Sequence, residues 1–181
     1  MNDGKDRILG VLYTFTGRDG EPKGDSETYT LKAMWVMMLS EFEASIKNKV
    51  ENYIDEVKKK DISDIHVCLL IRHFFGNKQE ELTLNKIISF YKHNPTDINY
   101  RNFTRDRVPK YKTKEVERLF NSLGLFFTKD ELTSLSILDS IASTRDSIAH
   151  GDVSVQITRK ELENQLQNLE EILNLLARKL T

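Results

Sequence analysis

From Ser26 to Lys60 the chain runs without a glycine or a proline. Within that run Leu31, Met34, Trp35, Met38, Phe42, Ile46, Val50, Ile54 and Val57 recur at spacings of three and four, the period of one helical face. The pattern predicts one long amphipathic helix, and such a helix must bury its apolar stripe against partners. Lys58, Lys59 and Lys60 suit its negative C-terminal end. The whole chain has 181 residues, room for one domain with a real core and too few for two ordinary ones. The rest of the sequence therefore has to supply the surfaces that cover this helix.

It does so with further helical periods. Ile65 to Phe75 reads as a buried helix ended by Gly76, and Gln79 to His93 as another stopped by Asn94-Pro95. Thr113 to Leu123 reads as a short helix closed by Gly124. Thr128-Lys129-Asp130-Glu131 and Thr158-Arg159-Lys160-Glu161 each fit a capping box. The first opens a helix through Leu132, Leu135, Leu138, Ile141 and Ile148; the second opens one through Leu162, Leu166, Leu169, Ile172, Leu173, Leu176 and Leu180. The expected class is all-α: a bundle over residues 26–181 with a long first helix and two antiparallel C-terminal helices. Residues 1–25 stand apart as an N-terminal arm. Val11, Tyr13 and Phe15 alternate as in a short strand over Ile8 to Thr16, and a mobile arm or a small hairpin fits the same residues.

Charge and cysteine content narrow the function classes. Lys plus Arg total 27 and Asp plus Glu 28, so no global positive field draws the chain to nucleic acid or membrane, and any such binding has to be local. Its longest apolar runs are far shorter than the roughly 20 residues of a bilayer span. Residues 1–7 carry mixed charge without a following signal-peptide pattern. The single cysteine, Cys68, excludes an internal disulfide and points to a reducing, cytoplasmic setting. His66, His73, His93 and His150 include no i, i+4 pair, and HExxH, phosphate-loop and GxSxG motifs are absent from the sequence. No metal or cofactor is expected. His66 and His73 read as packing or helix-surface residues and His93 as a helix-end residue. Arg159, Lys160, Arg178 and Lys179 read as ordinary helix-end charges.

Two segments carry chemistry. The first is Ser143-Thr144-Arg145-Asp146-Ser147-Ile148-Ala149-His150-Gly151-Asp152. Imidazole exchanges a proton near neutral pH, and a guanidinium matches phosphate oxygens as negative charge builds on them. These are the two groups needed to cut RNA without a metal. His150 falls at a helix end, where the macrodipole favours a cation, and Gly151 supplies a left-handed turn just beyond it. Five residues give about 7.5 Å of rise and about 140° of rotation, so Arg145 and His150 do not share one face as an i, i+4 pair would. They converge on one ligand if the terminus unwinds or if a second subunit supplies the complementary pair. The competing reading pairs Arg145 with Asp139, Asp146 or Asp152 and leaves His150 as a cap.

The second segment is Asn99 to Lys114. It holds Arg101, Arg105, Arg107, Lys110, Lys112 and Lys114 against Asp106, with Tyr100, Phe103 and Tyr111 interleaved. Cations that track phosphates beside rings that stack bases suit single-stranded RNA. A solvated basic loop pinned by its aromatics is the alternative.

Arg145-Asp146-x-Ile148-Ala149-His150-Gly151 resembles the R-polar-x3–5-H signature of the HEPN superfamily, most closely the RNIAHG-like form of its RiboL-PSP and MAE-type nuclease branch. The apolar helix before Arg145, the capped helix after Gly151 and the opening helix around Met34 to Glu43 are similar as well, over about residues 27 to 181. The resemblance implies a small α-bundle that dimerises so that two such motifs face one cleft. It implies a metal-independent endoribonuclease that leaves a 2′,3′-cyclic phosphate, and a toxin paired with a nucleotidyltransferase antitoxin or an anti-phage defence effector. It also implies Arg145, Asp146 and His150 as catalytic residues, Glu43 after its aromatic as a support for Arg145, and Gly151 as the turn. Asp146 departs from the asparagine usual in this branch. A non-catalytic HEPN module that binds RNA, a nucleotide or a partner protein is the alternative.

Overall fold

The computed structural model describes residues 2–15, 21–59, 64, 66–67, 101 and 112–181. These hold six helices and no strand: α1 (Asn2–Phe15), α2 (Asp25–Val57), α3 (Thr113–Asn121), α4 (Lys129–Leu135), α5 (Ile137–Ala149) and α6 (Arg159–Lys179). Of the expected helix over 65–75 only residues 66 and 67 are described, and the rest of it, with Cys68 and His73, and the expected helix over 79–93, with His93, lie outside the described residues.

Helix α2 is 33 residues long, about 50 Å, and is the spine of the bundle. All nine positions of its apolar stripe are buried, and α1, α5 and α6 pack against it. Its far end receives His66, whose buried ring nitrogen bonds the Val57 carbonyl. Lys58 and Lys59 pair with Asp55 and Glu56 at 3.0 and 2.6 Å.

The N-terminal residues correct the strand expectation. Ile8 and Leu12 are i, i+4 neighbours, both are buried in the same core as α2, and Asn2–Phe15 is a helix. The apolar residues between 8 and 15 satisfy periods of 2 and 3.6 alike, and only the second lets Ile8 and Leu12 meet α2 together. Gly4 sits where α1 crosses α2: a Cβ there would fall 2.6 Å from Glu41 Oε2. Lys5 pairs with Glu170 on α6, and Arg7 lies 3.7 Å from Glu41.

The helix predicted from Thr128 onward is interrupted once. Ser136 ends α4, its amide donating to Leu132 O and Thr133 O at 3.1 and 3.2 Å, and α5 starts at the next residue. The Thr128 capping box forms in both directions, with Glu131 N donating to Thr128 Oγ1 and Thr128 N to Glu131 Oε2. At Thr158 the hydroxyl accepts from Glu161 N at 3.1 Å. Helix α6 starts beside the α5–α6 turn and the start of α2, and its end reaches Glu131 at the start of α4. The α4–α5 rod and α6 are thus antiparallel.

Two residues read as helix-end charges are structural. Arg159 is 4% exposed, and its Nη2 lies 2.5 Å from Glu27 Oε1, in a buried ion pair that ties α6 to the start of α2. Lys179 bonds Phe126 O at 2.9 Å, pairs with Glu131 at 2.8 Å and stands 5.6 Å over the Phe127 ring. Sequence position alone placed both at helix ends, where charge is normally solvated, but the antiparallel packing covers those ends.

Candidate functional site at the end of helix α5

Helix α5 is held to α2 by Trp35, whose buried indole nitrogen donates to the Ile141 carbonyl at 3.1 Å. That carbonyl lies four residues before Arg145, so the anchor sets the turn of helix that carries the arginine. At the C-terminus, His150 N donates to Asp146 O, Gly151 N to Ile148 O and Asp152 N to Ser147 O, each at 3.0 Å. With Gly151 at φ 76°, this is a Schellman cap. A Cβ on Gly151 would meet nothing within 4 Å, so its positive φ alone calls for glycine there. The cap leaves the His150 side chain exposed. The turn beyond is fixed by Lys32 on α2, which donates to Asp152 O at 3.1 Å. Ser154 N and Oγ bond Asp152 Oδ1 at 2.9 and 2.6 Å, and the Ser154 hydroxyl and amide hold that carboxyl below its usual range.

Of the three carboxylates weighed as partners for Arg145, the structure selects Asp146. Arg145 Nη1 reaches Asp146 Oδ1 at 3.2 Å, and the other oxygen, Oδ2, lies 3.5 Å from Lys112 Nζ. Asp139 instead accepts the Thr113 amide at 3.0 Å, and Asp152 serves its own turn. Half-buried Glu43 on α2 has its carboxyl pushed up by burial, and the positive charge of Arg145 pulls it back down. Arg145 is therefore within electrostatic reach of Glu43 as well. Three elements meet at the Arg145–Asp146 pair: α2 with Glu43, α5 with Arg145 and Asp146, and the N-terminus of α3 with Lys112; His150 stands exposed on the α5 cap beyond them.

Arg101 is exposed. Tyr100, Arg105, Arg107 and Lys110 lie outside the described residues. What sequence reading missed is that Lys112, the last cation before α3, meets Asp146, and that Lys32 braces the turn after His150. Lys112 had a signal in the basic run; Lys32 looks like any other lysine on a helix.

Two clefts on the described surface enclose about 430 Å³ each, one between α1 and α6 around Lys5, Tyr13 and Glu170, the other between α4 and α6 around Ile137, Leu175 and Arg178. Neither is lined by Arg145 or His150. Among the described residues no three His, Cys, Asp or Glu side chains stand together as a metal site would require, and no helix is long and apolar enough to cross a membrane.

Comparison with known proteins agrees with this arrangement of helices. The sequence model of the family described as RiboL-PSP-HEPN matches residues 13–181, from the end of α1 through α6. No curated protein and no solved structure matches the chain. A match over nearly the whole bundle, with the R-x4-H motif at the end of α5 inside it, establishes that the chain belongs to the RiboL-PSP-HEPN family.

Proposed function

We propose that this protein is a metal-independent endoribonuclease of HEPN type, working as a homodimer in which the Arg145–His150 motifs of two protomers share one cleft. The observation that carries the reading is the end of α5: an exposed imidazole on a Schellman cap, one turn beyond an arginine steadied by Asp146 and Glu43, in a chain of this family. His150 of one protomer takes the proton of a ribose 2′-hydroxyl. The 2′-oxygen attacks phosphorus, the bond from phosphorus to the 5′-oxygen breaks, and His150 of the other protomer protonates the leaving oxygen. Arg145 neutralises the charge that gathers on the non-bridging oxygens. The products are a 2′,3′-cyclic phosphate and a 5′-hydroxyl. Asp146 and Glu43 set the orientation of Arg145, and Gly151 holds the cap. Arg101, Arg105, Arg107, Lys110 and Tyr100 guide the strand. In the cell, the reading makes the protein a toxin restrained by a nucleotidyltransferase-type antitoxin, or a phage-defence effector, in the cytoplasm.

The test is cleavage of single-stranded RNA in EDTA by the purified chain and by its R145A and H150A variants. The parent should cut, with cyclic-phosphate ends. Each variant should lose at least about 10²-fold in rate, the usual worth of a proton-transfer or charge-stabilising group, with an unchanged melting temperature. Retained cleavage in either variant overturns the assignment. RNA binding without cleavage by the parent would select the non-catalytic alternative.

A further inference from the structure

Lys112 occupies a place that fold stability does not explain. It is the N-cap residue of α3, where Ser, Thr, Asp or Asn would satisfy the first amides and where the helix dipole disfavours a cation. Its backbone is nevertheless firmly placed. Lys112 O accepts from Glu115 N and Val116 N at 2.9 and 3.1 Å. The adjoining Thr113 is bonded to Asp139 Oδ1 at 3.0 Å and, through its hydroxyl, to Leu135 O at 2.9 Å. The α4–α5 rod thus fixes where the lysine starts. Its ammonium then meets Asp146 Oδ2 at 3.5 Å, with the lysine side chain 38% exposed. A partly exposed pair of this length adds little to stability, and an ammonium has three donors, so it keeps donors for another anion. The other oxygen of that carboxylate holds Arg145.

We propose that Lys112 is a second phosphate-binding cation of the α5 site, set beside Arg145 by the carboxylate they share, so that a single RNA strand engages the pair through adjoining phosphates. This rests on the nuclease reading above and adds a positioning residue to it. The positive end of α3 and the two cations reinforce one another toward an anion. In the sequence, Lys112 also belongs to the basic run from Asn99 to Lys114, so the cation that meets Asp146 is one of that run. Arg145 acts on the scissile phosphate; Lys112 acts on its neighbour and fixes the register of the strand.

The experiment measures binding of a fluorescein-labelled single-stranded oligouridylate to the H150A chain, by anisotropy over a series of NaCl concentrations, with K112M and K112R added to that background. Each phosphate contact on a single strand contributes about 0.7 to the slope of log affinity against log salt. K112M should lower that slope by about 0.7 and weaken binding several-fold at low salt, and K112R should restore both. With His150 present, K112M should raise KM more than it lowers kcat. The inference is overturned alone if the parent binds and cuts RNA while K112M matches its background in slope and affinity, or if kcat falls with KM unchanged. If the parent neither binds nor cuts RNA, the nuclease reading fails and the assignment of Lys112 goes with it.

Discussion

Replacing Arg159 by methionine strips the buried Glu27 carboxylate of the guanidinium that neutralises it. The two side chains are 5% and 9% exposed and their charged atoms are 2.5 Å apart, so water cannot take over the missing charge without opening the junction between α2 and α6. Removing one partner of a buried pair costs about 3–5 kcal/mol. Glu27 also accepts the Lys23 amide, which leaves the carboxylate one partner and argues for the lower end of that range. For a chain of this size each kcal/mol moves the melting temperature by about 2–4 °C, so R159M should melt about 6–20 °C below the parent by circular dichroism at 222 nm. In E27L/R159M both charges are gone and two apolar side chains fill the site; the double variant should recover most of the loss. A coupling of at least about 2 kcal/mol across the cycle is expected. A loss below about 1 kcal/mol in R159M would mean the pair is solvated like an ordinary surface bridge. A double variant as unstable as the sum of the two singles would refute the coupling itself.

Three further outcomes follow from the site. G151A places a Cβ in a left-handed conformation at an otherwise roomy position, so it should cost about 1–2 kcal/mol in urea unfolding and loosen His150; an unchanged midpoint would show that the cap does not depend on glycine. W35F removes the indole donor to Ile141 O, and the carbonyl keeps its helical partner, so stability should fall by about 1 kcal/mol, whereas a loss above about 3 kcal/mol would point to repacking instead. The Glu43 carboxyl is raised by burial and partly restored by Arg145. A raised carboxyl favours folding most when protonated; its contribution is full below the ordinary glutamate value and is lost as pH rises through the raised one. R145M should therefore shift the Glu43 carboxyl titration, followed by ¹³C NMR, further upward, and a downward or absent shift would separate the two residues.

Much of the bundle was legible because its signals are local. The stripe of α2 needs only a period, and every one of its nine positions is buried. The Thr128 and Thr158 starts and the Gly124 and Gly151 stops need only residues within one turn of the helix end. Where two periods coexist, as between Ile8 and Phe15, a sequence has no means of choosing, and the strand reading gave way to a helix once α2 was there to bury Ile8 and Leu12. The buried role of Arg159 was hidden for the same reason: its partner, Glu27, is 132 positions away.

The residues by themselves determined the class of fold, the main helix boundaries near the motif and the R-x4-H motif at a glycine-closed terminus, since hydrophobic period, side-chain capping and backbone freedom act over a few residues. That Glu43 and Lys112 come to the same end of α5, and that Lys32 braces the turn beyond it, were decided by tertiary packing. Those contacts join helices far apart in the chain, and no short-range rule fixes how such helices rotate and cross until their apolar faces are buried against one another.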